Sequence, residues 1–344
     1  MRLSWINRLP LAQATCLFLV VTATVSAGPF RMRPKNTIPD ELASIARVRE
    51  ASLFINPLPP SVVRSGLSQS NLHAKIKQLI EPFGFEIASD EVLPMLVFSL
   101  AVAKDPTMPD LLGYTMYLDL KQRAKVYRLR KDLVIPTATL AVNGMAKSNN
   151  LTETIEKHLE RTIKQFADME QRATNHVLAM NRRSGPASET RSEQDLRERI
   201  ADERASMANL GKINLEFSAL HPILEDDHGL SKRELQADAH EQLQSAGFDV
   251  VKNDMLPTVV LTIGLANDKL FPNVFSYTVY ADLKQQVRIY RLNKDLVVPT
   301  ATAAANGITK DSDLANRITL GLQRTIQRFT EMHQQATSDA QAAR

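Results

Sequence analysis

The sequence is poor in cysteine, in glycine and in long apolar runs. Of its 344 residues one is cysteine, 12 are glycine and 17 are proline. This composition argues against collagen-like and disulfide-scaffold proteins, and an apolar fraction of 44% with a charged fraction of 23% is typical of a folded soluble chain. The length allows about two domains of ordinary size.

The single cysteine, Cys16, lies inside an apolar N-terminal segment. If that segment is removed, the mature chain has no thiol, which excludes disulfides, zinc–thiolate sites and cysteine nucleophiles. A chain without cysteine is compatible with an oxidising compartment. No motif in the sequence predicts a cofactor.

Charge of one sign is also lacking. Lys and Arg number 42 against 38 Asp and Glu, which gives a net charge of +4. Loss of Arg2 and Arg8 with the N-terminal segment would lower it to +2 (4 − 2). Because nucleic-acid binding usually needs a concentrated basic patch, a balance so near neutral predicts no nucleic-acid partner.

Residues 1–27 have the three parts of a secretory signal peptide. Two arginines precede an apolar stretch at 11–25, and Val25-Ser26-Ala27 places small residues before Gly28. The alternative is an uncleaved anchor, although the stretch is short for a span of about 20 residues. We therefore predict a secreted or periplasmic protein that does not span a membrane after signal cleavage.

An internal repeat organises the rest of the chain. Segment 67–166 aligns without a gap with segment 230–329, and 41 of the 100 aligned positions are identical. Within the stretch 114–147 and its counterpart 277–310, 22 of 34 positions are identical. A unit of this length can bury its own core, so the repeat predicts two duplicated domains rather than a solenoid.

Each copy predicts the order β-α-β-β-β-β-α, with its first helix beginning at Ser68 or Ser231. The predicted class is α+β, two tandem copies of a mostly antiparallel sheet with two helices on one face. The predicted divisions are a signal peptide at 1–27, a disordered tail at 28–45, a first repeat at 46–168, a helical or flexible linker at 169–207, a second repeat at 208–331 and a disordered tail at 332–344.

The polar face of the sheet carries the candidate binding residues. Tyrosines, lysines and an aspartate alternate along one strand of each copy, Asp119 in the first and Asp282 in the second. Aromatic side chains among basic ones suit stacking on a sugar or contact with a partner sheet. The alternatives are a solvated face and a surface where the two copies dock. The candidate residues are Tyr117, Lys121, Tyr127, Tyr280, Lys284 and Tyr290.

No catalytic motif is present, so no catalytic residue is predicted. The loop from His221 to His228 carries metal-compatible side chains, but the first copy lacks them and no established ligand spacing occurs, so no metal site is predicted. The densest carboxylate cluster is Glu225, Asp226 and Asp227 in that loop.

Three stretches of the second copy carry a resemblance. They are LSKRELQADA…LQSAGF (230–248), YADLKQQV (280–287) and TIQRF (325–329). This order resembles secreted or periplasmic bacterial α+β modules, and its layout is similar to the N-terminal domain of TolB and to curli-secretion-type lipoproteins. The curli-type lipidated cysteine and pore-forming segments are absent, so channel activity is not implied. The resemblance implies a non-enzymatic envelope module and transfers no functional residue.

The leading functional hypothesis is a binding or scaffolding protein of the cell envelope, with an envelope protein or polymer as partner. Two tethered copies would gain avidity if the linker spans both target sites. The alternative is a hydrolase of cell-wall or extracellular polymers that uses the carboxylate cluster. A third hypothesis is a structural dimer joined by the linker helices, and the sequence leaves the oligomeric state open.

Overall fold

A computed structural model describes residues 38–88, 93–180 and 202–343. The predicted signal peptide and most of the predicted linker lie outside these residues. Within the described parts ten strands form one sheet. No helix in the same parts combines the length and the apolar character needed to cross a bilayer.

The predicted mixed class is confirmed, and the same order of strands and long helices occurs in both halves. The first half contains α1 (Asp40–Ser44), β1 (Glu50–Ile55), α2 (Pro60–Arg64), α3 (Gln69–Ile80), β2 (Glu86–Ile87), β3 (Met95–Lys104), β4 (Leu111–Val126), β5 (Lys131–Lys147) and α4 (Leu151–Met180). The second contains β6 (Lys212–Phe217), a helical turn (Ile223–Asp227), α5 (Lys232–Ser245), β7 (Asp249–Val250), β8 (Thr258–Asp268), β9 (Phe271–Ile289), β10 (Lys294–Lys310) and α6 (Leu314–Ala342).

The first long helix of each half begins where the sequence predicts. The Ser68 hydroxyl accepts a hydrogen bond from the Asn71 amide at 3.1 Å, and the Ser231 hydroxyl accepts one from the Glu234 amide at 3.4 Å. These bonds satisfy amides that have no partner inside the helix. The helices α3 and α4 cover one face of the first half's sheet, and α5 and α6 do the same in the second.

Most neighbouring strands are antiparallel. In each half the first strand lies between the short second strand and the third, parallel to both, and the third, fourth and fifth strands follow as antiparallel neighbours. Parallel pairing of β1 with β3 follows from the helical connection between them, because a crossover is needed to return the chain in the same direction.

The two halves share their sheet, which the sequence did not predict. The end of β4 pairs antiparallel with the end of β9: Ala124 faces Ile289, Lys125 faces Arg288 and Val126 faces Val287. Lys125 and Arg288 are 163 positions apart, the offset of the repeat, so a repeat position faces its own counterpart. An approximate twofold axis therefore passes through this pairing, as in an isologous dimer interface.

Each half buries its own apolar core, and a third core lies between them. This shared core is formed where the ends of the long strands meet around the approximate axis. Its buried members are Ala43, Ala124, Val126, Leu133, Ile135, Val287, Ile289, Leu296 and Val298. Because both halves contribute to it, separating them would expose apolar surface to water.

A short segment precedes each half, and we call residues 40–46 arm 1 and residues 202–208 arm 2. Each arm forms hydrogen bonds with both β5 and β10. In arm 1, Asp40 accepts from the Val297 amide of β10 and the Ser44 hydroxyl donates to the Thr137 carbonyl of β5. In arm 2, Asp202 accepts from the Val134 amide of β5 and the Ser206 hydroxyl donates to the Thr300 carbonyl of β10. These bonds satisfy strand edges that would otherwise be unpaired.

The segments predicted as disordered tails differ from the prediction wherever the structure describes them. Residues 40–44 form α1, Ala43 is buried in the core between the halves, and Ile45 is buried in the core of the first half. At the other end α6 continues to Ala342, and Ala336 is buried on the second core. Both segments are short and polar. They are ordered because tertiary contacts stabilise a helical conformation that their local sequence alone would not stabilise.

One arginine from each half holds the arm of the other half. Arg128 donates to the carbonyls of Ser206 at 2.5 Å and Ala208 at 2.6 Å in arm 2. Arg291 donates to the carbonyls of Ser44, at 2.6 Å, and Ala46 in arm 1. Burial lowers the pKa of Arg128 to about 10, so it stays protonated at neutral pH.

We expect Gly144→Ala to destabilise the protein, because the added Cβ would lie 2.5 Å from Cζ of Tyr114, its cross-strand partner. Overpacking of this kind costs about 1–3 kcal/mol. The measurement is the free energy of unfolding in urea. Gly211→Ala is the control, since its Cβ would meet no atom within 4 Å. Equal stability of the two variants would contradict the packing described here.

Removal of either arginine should loosen one arm selectively. In Arg128→Ala the carbonyls of arm 2 lose a charged donor, so amide hydrogen exchange in residues 202–208 should accelerate about tenfold or more while residues 40–46 keep their protection. Arg291→Ala should give the opposite pattern. Each variant serves as the control of the other. Equal acceleration of exchange in both arms, in either variant, would refute the conclusion that each arginine holds the arm of the other half.

Candidate functional site

The polar strand faces of the two halves lie against each other. The hydroxyls of Thr115 and Thr278 are 2.7 Å apart, and both residues are buried. The rings of Tyr117 and Tyr280 meet edge to face, with centroids 6.0 Å apart. Each pair joins one repeat position to its counterpart. The sequence left open whether this face binds a partner, meets solvent or docks against the other copy. These contacts are of the third kind, docking between the copies.

The two predicted lysines pair with the arms. Lys121 Nζ lies 2.9 Å from Glu203 Oε2 in arm 2, and Lys284 Nζ lies 2.5 Å from Glu41 Oε1 in arm 1. Both lysines are buried, so each charge needs a partner to offset the loss of hydration. The lysines therefore stabilise the contact between the arms and the sheet.

The remaining two candidates, Tyr127 and Tyr290, lie at the rim. The Tyr127 hydroxyl donates to Asp295 at 2.6 Å, and the Tyr290 hydroxyl donates to Asp132 at 2.5 Å. Both tyrosines are partly exposed, at 38% and 36%. All six candidate residues thus lie at the junction of the two halves and their arms, and their role in binding a separate molecule stays a prediction.

Two aspartates at the junction, Asp119 and Asp282, were not among the candidates. The Thr139 hydroxyl donates to Asp119 Oδ1 at 2.7 Å, and the Thr302 hydroxyl donates to Asp282 Oδ1 at 2.7 Å. The pKa of each carboxyl is raised to about 6, mainly by loss of hydration, with a smaller contribution from the negative charge of Glu203 and an opposing one from the threonine hydrogen bond. Their alternation with tyrosine and lysine in the sequence could have indicated that they belong to the site. An aspartate on a strand is, however, usually expected to face solvent.

A cavity of about 350 Å³ lies beside Asp119 at this junction. Both halves and arm 2 contribute to its wall, which combines apolar, aromatic and charged side chains. The Asn56 amide within it donates to the Ser99 hydroxyl at 2.6 Å. The lining residues are Phe54, Asn56, Met95, Val97, Ser99, Tyr117, Asp119, Lys121, Pro136, Thr139, Glu203, Thr302 and Ala304.

The carboxylate cluster of the alternative hydrolase lies elsewhere. Glu225, Asp226 and Asp227 are exposed on the helical turn and do not line this cavity. In the same loop His221 Nδ1 accepts from the Ile223 amide, and His228 Nε2 lies 3.1 Å from Asp311. In the parts of the chain that the structure describes, no group of three or more His, Cys, Asp or Glu side chains is placed to hold a metal ion.

Comparison with known proteins gives little beyond this geometry. No family model matches the chain, and no curated protein matches it. Among solved structures, the crystal structure of a minor lipoprotein from Acinetobacter baumannii is similar over 39% of this chain and 95% of that chain, with 12% identity and a TM-score of 0.23. A likeness of that size carries no functional inference, and the resemblance to TolB and curli-type modules stays a prediction.

The buried aspartates predict a specific pH dependence. Because the folded pKa of each lies near 6, above the unfolded value of 3.8, the native state takes up protons between these values. The contribution of each aspartate to stability is therefore complete below pH 4 and is lost as the pH rises through about 6.

We expect Asp119→Asn and Asp282→Asn each to gain stability relative to the unmodified protein as the pH rises from 4.5 to 7.5, by about 1–3 kcal/mol. Urea unfolding at the two pH values measures the difference, and the other titrating groups cancel in the comparison. The exposed Asp226→Asn is the control and should show no such gain. A pH-independent difference for both buried positions would show that these carboxyls are not desolvated.

Proposed function

We propose that this protein is a secreted or periplasmic, non-enzymatic binding protein of the cell envelope whose binding site is the cavity at the junction of the two halves. The observation that carries the proposal is the wall of that cavity, to which both halves and arm 2 contribute. Small-molecule sites commonly combine an apolar wall with a few polar groups, and a volume of about 350 Å³ falls within their usual range.

The junction also changes the proposed mode of binding. Tethered copies gain avidity only if each presents a free site to the target. Here the predicted binding faces contact each other, and the shared sheet and the arms fix one half against the other. The proposal is therefore one body with a site between its halves, with any protein or polymer partner meeting its outer surface.

A polymer hydrolase is supported less well by this arrangement. Glycoside hydrolysis needs two carboxyl groups on opposite sides of a bound sugar. The three carboxylates of the loop instead lie side by side on an exposed turn. The cavity residues also favour binding, because the charged pair there, Lys121 with Glu203, already joins the sheet to arm 2.

Export is the part of the proposal that is tested first. When the full chain is expressed in a bacterium with two membranes, we expect a periplasmic product that begins at Gly28, as signal cleavage after Ala27 requires. Mass spectrometry of the purified N-terminus and cell fractionation measure this. The variant with Phe18→Arg and Leu19→Arg breaks the apolar stretch and should accumulate uncleaved in the cytoplasm. An uncleaved, cytoplasmic wild-type chain would refute the envelope assignment.

A further inference from the structure

We propose that the cavity beside Asp119 binds a small organic cation, a primary amine carried on a short apolar chain, with the ammonium group at the Asp119 carboxylate. This inference rests on the proposed function, since it names the class of ligand for the proposed site. It is carried by the charge of the wall, by a row of side chains across four strands, and by a difference between the two halves.

The charged side chains that line the cavity are Asp119, Glu203 and Lys121, so the lining has one more negative charge than positive. Lys121 and Glu203 lie 2.9 Å apart and neutralise each other. Asp119 receives a hydrogen bond from the Thr139 hydroxyl, which is a neutral donor and leaves the charge of the carboxylate in place. A ligand that brings one positive charge would complete the balance, and a charged hydrogen bond in a poorly hydrated site is stronger than a neutral one.

The register of the sheet sets the shape of the ligand. Phe54 pairs with Val97, Val97 pairs with Asp119, and Asp119 pairs with Thr139, so these four side chains form a row across β1, β3, β4 and β5. Phe54 is two strand spacings from Asp119, about 10 Å. An extended chain of about this length would place an ammonium group at Asp119 and its apolar end against Phe54.

Two further side chains favour an amine with an apolar tail. Met95 extends the apolar part of the wall beside Phe54, and its flexible thioether adapts to a slender chain. The Tyr117 ring also lines the cavity, on the same strand as Asp119. A cation that lies over the face of an aromatic ring gains an additional electrostatic attraction.

The second half has the same row with one decisive change. Glu216 pairs with Val260, Val260 pairs with Asp282, and Asp282 pairs with Thr302. Glu216 therefore takes the place that Phe54 has in the first half, and Thr258 takes the place of Met95. The apolar end is thus peculiar to the first half, and Asp282 provides a matched control position.

The test is isothermal titration at pH 7.5 with three probes of equal chain length, 1-hexylamine, hexan-1-ol and hexanoate. We expect saturable binding of one equivalent of hexylamine and at least about tenfold weaker binding of the other two. Asp119→Asn should weaken hexylamine binding about tenfold or more, and Phe54→Ala should weaken it by a smaller factor. Asp282 does not line the cavity, but it holds the lining residue Thr302, so Asp282→Asn should weaken hexylamine binding less than Asp119→Asn does.

Circular dichroism and the urea midpoint verify that each variant is folded before titration. Equal binding of hexylamine by folded Asp119→Asn, equal weakening by Asp282→Asn, or binding of hexan-1-ol as tight as that of hexylamine would overturn the proposal. If the protein is exported and folded but binds none of the probes, the proposal that its ligand is a primary amine is refuted and the envelope assignment stands. A chain that is not exported would refute the proposed function whatever the titrations give.

Discussion

The pairing of the ends of β4 and β9 is the constraint on which the rest of the structure depends. Because Lys125 faces its own repeat counterpart Arg288, many of the contacts that one half makes near this point recur in the other. The shared core, the exchanged arms and the tyrosine pair all follow that pattern. A face of the sheet that is polar in sequence becomes an interior, in which the two lysines pair with glutamates of the arms.

The buried charges explain why this interior is not a simple apolar core. Lys121 and Lys284 are each matched by a glutamate that comes from an arm, while Asp119 and Asp282 are held by threonine hydroxyls. Burying unneutralised carboxylates costs free energy, so the arrangement is less stable at neutral pH than an apolar one would be. Costs of this kind are common at sites where a protein binds something.

The local elements could be predicted from the sequence and the relation between the halves could not. Alternating apolar residues gave the strands, and Ser68 and Ser231 gave the helix starts, because both signals arise within a few residues. The same alternation has one polar face whether that face meets water or another copy, so Tyr117 and Lys121 were found while their partners were not. The arm at 40–46 was missed because its order depends on contacts with residues about 250 positions away.

The difference between Phe54 and Glu216 is possible because the two halves are covalently linked in one chain. If two separate chains of one repeat assembled through this junction, symmetry would oblige them to carry two identical pockets. A tandem chain is free of that obligation, since a substitution in one copy is not repeated in the other. Joining the halves therefore allows the region around Asp119 to differ from the corresponding region around Asp282, with Phe54 in one and Glu216 in the other.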